Sequence, residues 1–140
     1  MALLAVGAGH AAGAQTAHFS GVQTTLGSGF SNPAATAVDS NGNVFVADFL
    51  NNAVKEMLAV GGTIPASPTI QTLGSGFSHP SAVAVDAKGD VFVADEGHGS
   101  IKEMLAVSGS IPASPTINTL TTIANPQGVA LDAAGDVYVT

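Results

Sequence analysis

The sequence predicts an all-β tandem-repeat protein whose unit is one sheet of four antiparallel strands, and three observations carry that prediction. Thr25-Leu26-Gly27-Ser28-Gly29-Phe30 recurs as Thr72-Leu73-Gly74-Ser75-Gly76-Phe77, and Val44-Phe45-Val46-Ala47-Asp48 recurs as Val91-Phe92-Val93-Ala94-Asp95, both at an offset of 47 residues. Short β-branched runs alternate with Gly, Pro, Asn and Asp, the pattern of strands joined by tight turns. Finally, Val44–Ala47 and Val91–Ala94 are apolar without interruption. A sheet with one wet face alternates apolar and polar residues, so these strands need cover on both faces.

The elements follow in chain order. In the second unit the expected strands are 81–85, 90–94, 101–106 and 116–120. Asp86-Ala87-Lys88-Gly89-Asp90 is a hairpin link in which Gly89 supplies the left-handed backbone angles of a tight turn. Asp39-Ser40-Asn41-Gly42-Asn43 and Asp132-Ala133-Ala134-Gly135-Asp136 are its counterparts. Lys55-Glu56-Met57-Leu58-Ala59-Val60 repeats as Lys102-Glu103-Met104-Leu105-Ala106-Val107, and each copy is followed by Ile-Pro-Ala-Ser-Pro-Thr-Ile. The glycines of Leu26-Gly27-Ser28-Gly29 turn the chain from the outer strand of one sheet to the inner strand of the next. The units are 25–71, 72–118 and a shortened 119–140, after an Ala/Gly-rich segment at 1–21. Sheets stacked around an axis cover both faces of every strand, and a repeat of this length suits one propeller blade. A parallel β-helix has shorter rungs and needs no run of antiparallel hairpins. The expectation is an incomplete ring of about two and a half four-stranded blades.

The repeated motif resembles the NHL-repeat β-propeller family, of the bacterial, exported type. Its unit runs Pro, a Val-Ala-Val-Asp strand, a Gly-Asn or Gly-Asp turn, a Val-Tyr-Val-Ala-Asp strand and an Asn-rich loop leading to a third strand. Pro33–Met57 and Pro80–Met104 match that pattern, with a shortened copy over Pro126–Thr140. The resemblance implies a ring of six blades, of which about half is present. The family often carries Arg after its Asn pair, where this chain has Asn51-Asn52-Ala53 and His98-Gly99-Ser100.

Charge bounds the partners. Three Lys plus Arg, none of them Arg, stand against ten Asp plus Glu, for a formal net charge of −7. Phosphate recognition rests on Lys/Arg neutralisation, so nucleic acid is not an expected partner, nor is an anionic membrane surface. No apolar run reaches the roughly 18 residues that span a bilayer. Met1–Val6 is apolar and Ala12-Gly13-Ala14 has the small-x-small form of a signal-peptidase site. That reading makes the protein exported, although the basic n-region is missing. The competing reading, a remnant of the Met-Leu-Ala-Val strand, is disfavoured by spacing, since Leu4 to Thr25 is 21 residues and Leu58 to Thr72 is 14.

Candidate chemistry lies in the loops. Asp48, Asn51, Asn52, Asp95, Glu96 and His98 are placed on one rim of the ring, where they could bind a ligand. Against this, a strand-end Asp commonly caps the backbone of the next loop. Asp39, Asn41 and Asn43 alternate like the start of a Ca²⁺ loop, although no bidentate Glu follows and the same spacing makes an Asx turn. No other cofactor is expected. The histidines show no zinc spacing, no Gly-x-Ser-x-Gly elbow surrounds a serine, and the Gly-Ser-Gly loops lack the Lys and helix of a phosphate loop. Near-identical repeats favour a non-catalytic module binding protein, peptide or glycan, since an active site needs units that differ. A metal-dependent propeller lactonase or lyase is the alternative, and self-association through open blade edges is a third.

Overall fold

The computed structural model describes residues 3–4 and 23–140 of the chain. Two whole four-stranded sheets are present, each ordered as the chain runs. The first contains β3 (Pro33–Val38), β4 (Val44–Asp48), β5 (Ala53–Met57) and β6 (Ile70–Leu73). The second contains β7 (Pro80–Val85), β8 (Val91–Asp95), β9 (Ser100–Met104) and β10 (Ile117–Thr122). Every pairing is antiparallel. On one side of them β1 (Leu3–Leu4) pairs with β2 (Thr25–Leu26), and on the other β11 (Val129–Leu131) pairs with β12 (Val137–Val139). β7 packs against β3 on one flank and β11 on the other, so the first strands of successive blades lie side by side.

The strand ends differ from expectation by one or two residues: β9 begins at Ser100 and β10 runs on to Thr122. β10 lengthens because a register shift between Thr119 and Thr121 lets it continue beside Ser100. Thr25-Leu26 opens the repeat in sequence but pairs with β1 rather than with the sheet that follows, so the sequence repeat and the sheet are out of phase. The signal-peptide reading of the N-terminal segment falls, apart from Leu3–Leu4, outside the described residues.

Turn chemistry sets the hairpins. Gly42, Gly89 and Gly135 have φ of +86°, +90° and +90°, which only a residue without Cβ adopts freely. Before each inner strand the chain takes another left-handed residue, and here it is not glycine. Asn32, His79 and Asn125 have φ of 50°, 50° and 49°, and a proline follows each of them. The following ring bars these residues from the right-handed helical region, and Asn and His tolerate the left-handed one better than most.

The core lies between the sheets. Phe45, Ala47 and Val54 of the first blade meet Val83, Val91, Val93 and Met104 of the second in one cluster with Leu73, Phe77 and Ile111. Phe45 is 1% exposed and Val46, Val91 and Val93 are wholly buried. The apolar central strands thus have the two-sided cover their composition requires. A second cluster packs Leu26 and Phe30 on Val46 and Met57, and a third packs Ala82, Ala94 and Ile101 under Val129, Val137 and Val139.

Candidate functional site

The rim proposed from sequence is built on two tight 3₁₀ turns, Phe49–Asn51 and Glu96–His98, that join the second and third strands. Each turn ends in a left-handed residue, Asn52 at φ 53° and Gly99 at φ 57°. Between β6 and β7, residues 74–79 run alongside them, held by the N–H of Gly97 donating to the Ser78 carbonyl at 2.8 Å.

A buried acid anchors each turn. Asp48 has no exposed surface, and its Oδ1 accepts the N–H of Ser31 at 2.7 Å. Its Oδ2 accepts from Asn51 Nδ2 and from Lys55 Nζ, both at 2.7 Å. Lys55 Nζ also donates to the Gly29 carbonyl at 2.6 Å and stands 5.2 Å from the Phe30 ring centre. The second blade repeats the arrangement. Asp95 accepts from the Ser78 N–H, His98 Nδ1 and Lys102 Nζ, while Lys102 reaches the Gly76 carbonyl and the Phe77 ring. One ion pair therefore ties strand end, third strand and incoming connector together in each blade. The carboxylates of Asp48 and Asp95 are committed to this work and face no solvent. What the rim does present is Leu50, 55% exposed, with Asn51, Asn52, Glu96 and His98. Asn52 Oδ1 accepts the His79 N–H at 2.9 Å, and Phe49 stacks at a tilt on the His79 ring, so both blades contribute to this surface.

The candidate calcium loop lies at the opposite end of the sheets. Asp39 Oδ1 accepts the N–H groups of Asn41 and Asn43 at 2.9 and 2.8 Å, and Oδ2 accepts from Asn43 Nδ2 at 2.9 Å. Asn43 Oδ1 accepts the Ala59 N–H, which fastens the hairpin to the next loop. Asn41 Nδ2 donates to the Gly109 carbonyl of the second blade. In the equivalent turns Asp86 and Asp132 hold backbone N–H groups in the same way. The Asp136 N–H, with help from the Tyr138 hydroxyl and neighbouring N–H groups, holds the Asp132 carboxyl below the usual carboxylate range. These oxygens point at turn donors, as an Asx turn requires. Among the described residues no three His, Cys, Asp or Glu side chains gather as metal ligands.

The reading of single residues did not find Lys55 and Lys102. Their signal was present: an Asp and a Lys seven residues apart in both copies. Adjacent antiparallel strands joined by a short turn bring such residues near each other. A shallow depression of about 320 Å³, lined by Thr25, Gly27, Ser28, Ser67, Pro68 and Ile70, lies between β2 and the Pro-rich loop before β6. No sequence motif marks it.

The sequence profile of the NHL repeat matches residues 30–56 and 77–103. The chain carries two NHL repeats. Each matched stretch runs from the connector Phe through the first two strands into the third, so it contains the Asp–Lys pair. No curated protein matches the chain in sequence. Solved structures resemble these NHL blades. A hydrazine synthase from Kuenenia stuttgartiensis superposes with a TM-score of 0.61 at 15% identity, over 89% of this chain and 32% of that one. A gluconolactonase from Xanthomonas campestris gives 0.63 at 11% identity, over 84% and 37%. Virginiamycin B lyase from Staphylococcus aureus gives 0.57 at 15%, over 77% and 34%. The NHL chain thus spans about a third of each, and at these identities they share its fold alone. No helix among the described residues is long and apolar enough to cross a membrane.

Proposed function

We propose that these NHL repeats form a non-catalytic binding module of an exported protein, which takes a protein, peptide or glycan ligand on the Leu50–His98 rim. The observation that carries this reading is the division of labour at the rim. Asp48 and Asp95 are buried and consumed by the fold, while the accessible positions are an apolar anchor, Leu50, with Asn51, Asn52, Glu96 and His98 on two braced turns. Exposed apolar and aromatic groups on a rigid frame, rimmed by polar side chains, suit recognition with little ordering cost. The chain's negative charge favours a neutral or basic ligand over phosphate-bearing ones. Export rests on the apolar start of the sequence and its small-x-small site. The test is selection of binders from a displayed peptide library and a glycan panel. Binders should lose at least ten-fold in affinity to Leu50→Asp at an unchanged thermal midpoint, and to His98→Ala with no more than the small midpoint loss that its hydrogen bond to Asp95 implies. Binders indifferent to both variants would place the ligand elsewhere.

The alternative is a metal-dependent lactonase or lyase, and its support is the likeness of fold to a gluconolactonase and a lyase. Bound metal in the purified protein, together with turnover of a lactone, would favour it.

A further inference from the structure

The polar groups of the Leu50–His98 rim are aimed by the bonds they make to the fold beneath them. Asn51 turns its Nδ2 inward, to the Gly29 carbonyl at 3.0 Å and to Asp48 Oδ2 at 2.7 Å. Both partners only accept, so the nitrogen end of the amide is fixed and Oδ1 is left over as an acceptor. Asn52 is set the other way: its Oδ1 takes the His79 N–H at 2.9 Å, which leaves Nδ2 as a donor. His98, the repeat counterpart of Asn51, gives its Nδ1–H to Asp95 Oδ2 at 2.8 Å, so the neutral ring keeps Nε2 as an acceptor. Asn51, Asn52 and His98 are exposed, as is Leu50 beside them. The rim thus carries an acceptor and a donor on consecutive residues, a second acceptor on the next blade, and an apolar side chain.

Charge and strand pairing narrow what such a surface holds. Lys55 and Lys102 are spent on Asp48 and Asp95, and the turns themselves contain neither Lys nor Arg. A phosphate, sulfate or carboxylate therefore meets no cation on these turns, and it meets Glu96 and a net charge of −7. Peptides are commonly held by strand addition, by a groove for a helix or a Pro-rich segment, or by a cationic cluster. β4, β5, β8 and β9 are each paired on both sides, which closes strand addition at the rim. Phe49 is turned onto the His79 ring instead of lining a groove. A sugar hydroxyl matches what remains, because one oxygen both donates and accepts, and the C–H face of a sugar ring packs on an apolar side chain.

We infer that the rim ligand is a neutral glycan, whose hydroxyls bond Asn51 Oδ1, Asn52 Nδ2 and His98 Nε2 while a sugar ring lies on Leu50. This rests on the rim being the binding surface, and it names the ligand class for that surface. The inward bonds hold the three polar groups in place before the ligand arrives, so little is lost in ordering them.

Calorimetric titration with neutral glucan, mannan and chitin oligomers, each beside its carboxylated or sulfated form, tests this. A neutral oligomer should bind about ten-fold or more tightly than its anionic form. Asn52→Asp keeps an oxygen for the His79 N–H but removes the remaining donor, and should weaken the neutral oligomer about ten-fold or more. Ser40→Asp adds the same charge on an exposed turn at the other end of the sheets and should leave binding unchanged. His98→Asn gives the second blade the amide of the first, one end for Asp95 and the other for the ligand, and should restore the binding that His98→Ala loses. Thermal midpoints report that each variant is folded. The inference falls if no neutral oligomer binds, if the anionic forms bind as tightly, or if Asn52→Asp binds like the native chain. Peptides that depend on Leu50 would then keep the rim reading, whereas oligomers and peptides indifferent to Leu50→Asp would remove that reading as well.

Discussion

The junction between the two whole blades and the half-blade beyond the second are built from nearly the same sequence, yet equivalent side chains in them differ in exposure by well over an order of magnitude. Phe45 is 1% exposed between the blades, and Tyr138, at the same place in the repeat, is 57% exposed. Strand sequence is not the cause, since Val44-Phe45-Val46 and Val137-Tyr138-Val139 carry the same pattern. The neighbour is the cause. An apolar strand in this fold gains its stability from the sheet stacked on it, and repeat proteins in general divide their stability between units and interfaces.

The largest test of that contrast is a pair of truncations. Phe45→Ala should cost about 3–5 kcal/mol in urea unfolding, the usual range for emptying a buried aromatic site. Tyr138→Ala should stay within about 0.5 kcal/mol, as for other exposed sites. Similar losses at the two sites would mean that strand pairing, and not blade stacking, holds the unit.

Next comes the anchor under the rim. Asp48→Ala leaves Lys55, 14% exposed, without its counter-charge. Breaking a fully buried pair costs about 3–5 kcal/mol, and the partial exposure of Lys55 lowers the expected loss to about 2–4 kcal/mol. Asn51→Ala removes one hydrogen bond of that carboxylate and should cost about 1 kcal/mol. If Asp48→Ala leaves unfolding unchanged while abolishing ligand binding, the carboxylate belongs to the ligand instead.

The turns sharpen the comparison further. Gly89 and Gly135 share a φ of +90°. A Cβ on Gly89 would approach the Gly109 carbonyl oxygen to 3.0 Å, whereas Gly135 has open space. Valine at either site meets backbone strain of about 1–3 kcal/mol, so Gly89→Val should lose more than Gly135→Val by thermal midpoint. Equal losses would show that strain alone decides.

How much of this was legible in the sequence follows from the same contrast. Strands, hairpins and the buried runs at 44–47 and 91–94 were readable because local turn chemistry and continuous apolar character encode them. The role of Asp48 and Asp95 as caps of loop backbone was readable in part, but their pairing was not, because it depends on Lys55 and Lys102 arriving from the next strand and on the connector carbonyls. Nor does any motif mark Leu50. Its exposure comes from the turn that β4 enters, which carries it out of the sheet. The phase of sheet against repeat was readable, since the Gly-Ser-Gly link after Leu26 marks the passage from an outer strand to the next inner one, and β10 does close the second sheet.

The smallest effect concerns Glu56, 2% exposed and paired with Gln71 at 2.6 Å. Burial pushes its carboxyl above the ordinary value, against the Gln71 hydrogen bond and with a small contribution from Asp39. The folded state therefore binds this proton more tightly than the unfolded chain does. Stability from this group is present at low pH and is lost as pH rises through the raised value. Glu56→Gln should raise the thermal midpoint slightly at neutral pH and remove that slope. Its counterpart Glu103 is only half-buried, and Glu103→Gln should do less. A lower midpoint for Glu56→Gln would show that the charge is stabilised where it lies.

The claim that stacking rather than strand sequence sets stability is tested most directly by residue-resolved native-state hydrogen exchange. Amides of Phe45–Ala47 and Val91–Ala94 should exchange only through opening close to global unfolding, and those of Val137–Val139 through a much cheaper local opening. Equal protection in the three segments would contradict the account.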